Sequence, residues 1–359
     1  MAKHTRPVLW NGHVDFRWEG GGVTINSPDG FPIMVPMAGL YFQGNYLHDC
    51  NSETVLPVLN NNNERMEILW GTGVEYPALD TGEMQDRNWY GVFAVNENGV
   101  LRGKFVSFIR VFCLDGRSLT FSSHRDKDVS INYGFCPGAY LGSRYVVLTG
   151  LDAGKTGTIT KSLANSFDLA DPTPHRLAKG DWLMVSPAKG LRSDSDVIEC
   201  YREYCYLGSV LSDNLREGQY EPKNFYKYRN RYFIDNNNDN LYDKPFNILN
   251  QANIGWESPN EPGWIEVDIW GQGVAPPTAR VVRVWNSISY NSPTAFQFFF
   301  AADAGKHRLS WWFCPPSPTG QHAYGVTVEV PVEFAGGKFF FQSQNSLTNV
   351  QFRLVGYDE

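Results

Sequence analysis

No stretch of this 359-residue chain approaches the roughly 18 consecutive apolar residues that cross a bilayer as a helix; the richest run, residues 296–302, is far shorter. Membrane insertion is therefore not expected. The opening residues Met1, Ala2, Lys3, His4, Thr5 and Arg6 lead into polar sequence and Trp10 without an apolar signal core, so signal-peptide export is not expected. The six cysteines (Cys50, Cys113, Cys136, Cys200, Cys205 and Cys314) form no CxxC pair, which excludes a zinc ribbon and a thioredoxin motif. Buried free thiols are the default for such scattered cysteines, with a disulfide left open. Neither HExxH nor GxSxG occurs, and the seven histidines are dispersed. No catalytic residue is named, and an enzyme is not expected. Positive charge is also short: the formal net charge is −7, whereas a general nucleic-acid binder concentrates basic surface. One basic stretch, residues 223–231, carries Lys223, Lys227, Arg229 and Arg231 among Phe225, Tyr226 and Tyr228. In an acidic chain it reads as a solvated, aromatic-backed strand or linker rather than a phosphate patch.

Helical periodicity is almost as scarce. Only residues 196–205 place Val197, Ile198, Tyr201 and Cys205 near one helical face, and a strand suits them equally. What the chain has instead is 14% aromatic residues, 34 Gly and 21 Pro, the composition of many strands joined by turns. The expected fold is all-β: several antiparallel β-sandwich modules, jelly-roll-like, with long loops and little helix. Residues 1–70 form a first β region, divided by Gly20, Gly21 and Gly22, by Ser27, Pro28, Asp29 and Gly30, and by Asn60 to Asn63. Residues 71–165 form a second module. A polar, proline-containing stretch over 161–179 marks the next boundary, and residues 166–359 form the third part, with a long loop over 214–248 and a C-terminal sandwich over 249–359. The cleanest two-residue alternation lies there, in residues 264–270, 279–285 and 324–331, and implies sheets with one buried face.

The segment Ala78, Leu79, Asp80, Thr81, Gly82, followed by Trp89, Tyr90, Gly91, Val92, Phe93, Ala94 and Val95, is a turn feeding an aromatic strand. It resembles an LDTG…WY signature that recurs in structural proteins of tailed bacteriophages: fibres, spikes, collars and appendages. A weaker echo, residues 177–185 with Trp182, follows. Three further islands keep the order of that family: residues 205–213 resemble its intermediate strand, residues 274–282 its "VP…A…V" element, and residues 350–357 its closing strand with a Gly356–Tyr357 pair. The span between Val95 and Asn165 exceeds the family spacing, which leaves an interrupted or a duplicated first module open. The resemblance implies a virion protein, assembled in a host cytoplasm, that acts by self-association and by docking to other phage structural proteins. A homotrimer suits a fibre or spike, and a larger ring suits a collar. The alternative is a carbohydrate-binding or polysaccharide-degrading receptor protein that takes a host surface glycan.

Three constellations bear on ligands. Residues 150–156, Gly-Leu-Asp-Ala-Gly-Lys-Thr, imitate a phosphate loop, but they place three residues between the glycines where four are needed and lead into strand-like sequence. A hairpin turn accounts for them better. Asp235, Asn237, Asp239 and Asp243 fall at positions 1, 3, 5 and 9 of a calcium-loop count, yet position 12 is Phe246 and the bidentate Glu is missing. Calcium and a solvated Asn-rich loop both remain open, and no other cofactor is implied. The adjacent Trp311 and Trp312 must point to opposite faces of any strand, which makes one of them a candidate for a subunit interface or for stacking on a glycan.

Overall fold

The computed structural model describes backbone and side chains over residues 88–92, 105–111, 138–163, 166–170, 177–185 and most of 263–359, with single positions at 208, 209, 211, 231, 232 and 248; over the other strands it describes the course of the backbone. The chain forms two compact units, Met1–Asn230 and Arg231–Glu359. Both are built of antiparallel strands, and helix among the described residues is limited to one 3-10 turn, Glu333–Ala335.

The first unit contains β1 (Asp15–Glu19), β2 (Gly22–Asn26), β3 (Met34–Gln43), β4 (Tyr46–Pro57), β5 (Met66–Leu69), β6 (Trp89–Glu97), β7 (Val100–Asp115), β8 (Ser118–Phe121), β9 (Arg144–Val147), β10 (Thr156–Ser162), β11 (Ser166–Leu169), β12 (Trp182–Val185), β13 (Tyr204–Arg216), β14 (Gln219–Pro222) and β15 (Phe225–Tyr228). Strands β7, β8, β11, β10, β9 and β12 pair in that order, and β12 pairs again with β7. The ring is closed, a six-stranded barrel. Alternate residues fill its interior: Ile109 and Val111, Tyr145 and Val147, Phe167 and Leu169, Leu183 and Val185, with Ile159, Tyr140 and Leu177. A barrel this small is packed by its own side chains and leaves no channel. Tyr140 meets Phe167 edge-on at 5.3 Å, and its hydroxyl is 3.0 Å from Ser107 Oγ. The N-terminal half of β7 leaves the barrel and pairs with β6, from which the sheet continues through β13, β3 and β4.

The sequence-level boundary at 165/166 therefore lies inside the β10–β11 hairpin, within one barrel. The strands on either side of it share a core. Strands β6 and β12, which open at Trp89 and Trp182, both flank β7: Ser107 pairs with Tyr90 on one side and with Val185 on the other. Both tryptophans are buried. The proposed loop over 214–248 is corrected as well: β14 and β15 lie within it, as does β16 of the second unit. Four-residue strands are too short to display an alternation.

The second unit contains β16 (Arg231–Ile234), β17 (Asn247–Ile254), β18 (Ile265–Asp268), β19 (Val281–Tyr290), β20 (Phe296–Ala301), β21 (Arg308–Cys314), β22 (His322–Pro331), β23 (Lys338–Ser343) and β24 (Leu347–Asp358). One sheet orders β22, β19 and β24, with β17 and β16 both beside β24; the other orders β18, β23, β20 and β21. Strands β17, β19, β22 and β24 alternate along the chain with β18, β20–β21 and β23 of the opposite sheet. That wrap of eight strands is a jelly roll. Its core is aromatic: Phe352 of β24 lies 4.9 Å from Phe341, 5.7 Å from Phe339, 5.9 Å from Phe300 and 6.5 Å from Phe298, centroid to centroid. The alternation in β19 supplies Val282, Val284 and Ile288 to the same interior.

On the opposite face of β19, Arg283 is almost fully buried. It donates from Nε to Glu329 at 2.9 Å, from Nη2 to Asp358, and from Nη1 to the Tyr232 carbonyl. Gly356 has a physical role in the closing strand, since a Cβ there would collide with the Tyr232 backbone. Next to it, Tyr357 stacks on Tyr232 at 4.3 Å with the rings 11° from parallel.

Candidate interaction surface on the C-terminal sandwich

Strand β21 is an edge of the four-stranded sheet and, among the described residues, pairs with β20 alone. It is reached through the turn after Ala301, where Asp303 organises the chain. Its Oδ1 accepts from the His307 amide at 3.0 Å, its Oδ2 lies 2.8 Å from His307 Nδ1, and its carbonyl accepts from the Lys306 amide at 3.0 Å. These bonds, led by the one to the His307 ring, hold the Asp303 carboxyl below its ordinary value. Lys306 takes a left-handed backbone, φ 58°, and its Nζ lies 5.9 Å from the centre of the Phe340 ring. The turn thus returns the chain over the outer face of the sheet.

From there the two-residue period sets each side chain. Ser310, Trp312 and Cys314 turn toward the sandwich interior, where Trp312 pairs with Phe298 and Cys314 with Phe296. Leu309, Trp311 and Phe313 turn outward and are 47%, 59% and 56% exposed. The structure thus separates the two tryptophans, Trp311 to solvent and Trp312 half-buried. Trp312 Nε1 and Ser310 Oγ are buried with no hydrogen-bond partner among the described residues. Beside the stripe, on the same face, Trp311 adjoins Phe299, which in turn adjoins Gln342 of β23, and Phe313 adjoins Gln297. Gln297 and Gln344 are tied together: the Gln297 amide donates to Gln344 Oε1 at 2.9 Å, and the Gln344 amide donates to the Gln297 carbonyl at 2.9 Å.

Comparison with protein-family models and with curated proteins gives no match. Among solved structures, a crystal structure of the infectious bursal disease virus VP2 subviral particle aligns over 99% of this chain and 77% of that chain, at 11% identity and a TM-score of 0.18, a likeness too slight to carry an argument.

Sequence reasoning reached Trp311 and Trp312 through their adjacency but missed Leu309 and Phe313. The signal was the alternation Leu-Ser-Trp-Trp-Phe, whose outer row becomes an exposed stripe only because β21 is an edge. The other sequence candidates fare differently. Asp235, Asn237, Asp239 and Asp243 lie outside the described residues, as does the LDTG turn; of the stretch 196–205 read as helix or strand, 196–203 lie outside them and Tyr204 and Cys205 open β13. Among the described residues no group of three or more His, Cys, Asp or Glu is placed to hold a metal. Residues 150–156 form the β9–β10 hairpin: the Val147 amide donates to the Lys155 carbonyl and the Gly154 amide to the Val147 carbonyl, at 2.8 and 2.7 Å. The ammonium of Lys155 sits 2.8 Å from Asp152. Arg231, the last of the basic stretch, is committed to Glu329 and Asp358 at 3.5 and 3.6 Å. The Cys314 thiol is pushed up to about 11 by burial, which keeps it protonated and inert at neutral pH.

Proposed function

We propose that this chain is a structural component of a bacteriophage virion, a tail fibre, collar or other appendage, acting by self-association and by docking to other particle proteins. The observation that carries the reading is the outer row of β21. Three large apolar side chains stand in line on an unpaired sheet edge, an arrangement that proteins normally guard with charge or cover with a neighbour. The resemblance of Trp89 and Tyr90, of residues 274–282 and of the Gly356–Tyr357 pair to the phage family supports the same reading. The jelly roll is compatible with it by analogy alone, since capsid and lectin domains share that wrap. The test is the mass of the full chain by light scattering, together with antibody labelling of intact particles. The expected result is a multimer, three or more times 40.6 kDa, and label at one site on the particle. A 40.6 kDa species at every concentration, with unlabelled particles, refutes the proposal.

A second reading has its own observation. Exposed Phe313 pairs with Gln297, which is tied to Gln344, and exposed Trp311 stands on the same face, a set of aromatic and hydrogen-bonding groups that suits a sugar. Under that reading the chain is a glycan-binding receptor protein, and glycan binding disappears in Trp311→Ala.

A further inference from the structure

We infer that β21 is a self-pairing edge: a second copy of this chain adds its own β21 antiparallel to the first, so that two four-stranded sheets become one across a two-fold axis. The inference rests on the self-association reading and names its surface and geometry.

The two edges of this sheet differ in a way that selects the partner. At β18, Glu266 lies on the face that Trp311 occupies at the other edge, and it holds Lys338 at 2.6 Å. Charge at an edge deters strand addition, because pairing would strip water from it. Between Leu309 and Phe313, β21 carries no charge. Pairing β21 of one copy with β18 of another would set an aromatic ring against Glu266, whereas pairing β21 with β21 sets apolar against apolar along the outward row.

The stripe is also self-complementary. With the two-fold axis at Trp311, Leu309 faces Phe313 of the second copy, Trp311 faces Trp311, and Phe313 faces Leu309. Directly opposed residues on one face of an antiparallel pair come within about 4.5–5.5 Å at Cβ, so all three pairs touch. Leu309 tells against a sugar as occupant, because a branched aliphatic side chain offers no flat face for stacking.

Size fixes what the contact can do. The three outward side chains expose on the order of 300 Å² of apolar surface per copy. A stable interface buries about 800 Å² per partner. The pair is therefore weak alone and gains strength where other contacts hold copies side by side. A two-fold contact joins copies in pairs: a monomer becomes a dimer, and each copy in a larger assembly offers one such contact.

The experiment is sedimentation velocity of the full chain over a wide concentration range. It compares wild type with Trp311→Lys/Phe313→Lys, with Leu309→Glu at the far end of the stripe, and with Leu151→Lys as control. Leu151 is as exposed as any residue of the stripe, at 67%, but lies on the β9–β10 hairpin. Circular dichroism confirms that each variant folds. The expected result is a reversible doubling in wild type and in Leu151→Lys, with self-association at least tenfold weaker in both stripe variants. If wild type assembles and the stripe variants assemble equally well, the β21 contact is overturned while self-association stands. If wild type stays at 40.6 kDa throughout, both are overturned. Binding of a host polysaccharide by that monomer, lost in Trp311→Lys/Phe313→Lys, assigns the stripe to glycan instead.

Discussion

Replacing Phe352 with alanine tests whether the second unit is held together at the place where its two sheets meet. The ring is fully buried and touches four phenylalanines, two from β20 and two from β23. Burying a phenylalanine side chain contributes roughly 1.5–3 kcal/mol by transfer alone. The cavity left behind, on the order of 100 Å³, adds about 2.4 kcal/mol at ~24 cal/mol per Å³ if it does not collapse. Collapse is resisted here, because the four surrounding rings are fixed by strand pairing in a sheet that Phe352 does not belong to. The expected loss is thus ~4–5 kcal/mol, near the top of the range for such substitutions. For a unit of this size that lowers the melting temperature by roughly 15–20 °C. The assay is thermal unfolding followed in the near ultraviolet, where the aromatic core reports directly. Phe352→Leu serves as the graded control, with a loss of about 1–1.5 kcal/mol. A loss below ~2 kcal/mol for Phe352→Ala would refute the reasoning, since it would mean that the sheets close over the gap and the five-ring cluster is not the centre of the fold.

Two further outcomes follow from particular residues. Gly337 holds φ 87°, and a Cβ there would fall inside the ring of Trp270, which is itself buried. Gly337→Ala therefore combines backbone strain with displacement of a core tryptophan and should destabilise by about 2–4 kcal/mol in a denaturant titration; a change under 1 kcal/mol would show that the turn relaxes freely. At Asp303 the carboxyl is held below its ordinary value, so its contribution to the β20–β21 turn is present above that ordinary value and is lost as pH falls through the lower, folded one. In a carbon-detected NMR titration the Asp303 midpoint should rise toward the ordinary carboxylate value in His307→Ala, with the part due to the retained backbone amide of residue 307 remaining; an unchanged midpoint would assign the depression to some group other than the imidazole.

Much of the fold was legible from periodicity. Strands β19, β22 and β24 are long enough to show which face is buried, and the glycines and Asp152 of residues 150–156 announce the hairpin they form. Closure of the barrel was not legible, because alternation reads the same in an open sheet as in a closed one. Closure depends on β12 returning to the same strand, β7, that began the ring, and this is a property of pairing. The unit boundary was misplaced for a related reason: loop chemistry at 171–174 is strong, but strands on both sides of it share the core around Phe167 and Leu183. At the candidate surface, the adjacency of Trp311 and Trp312 was enough to place them on opposite faces. Which of the two meets solvent, and that Leu309 and Phe313 accompany it, depends on β21 standing last in its sheet, and strand order is not written in a local pattern.

The sixteen residues of β7 belong at once to the closed barrel and to the open sheet that begins at β6. A tension applied along this strand is shared among ladders on both flanks, all loaded in shear, so neither half can peel away while the other stays intact. Strain entering through one layer is handed on to the other before any single row of hydrogen bonds gives way.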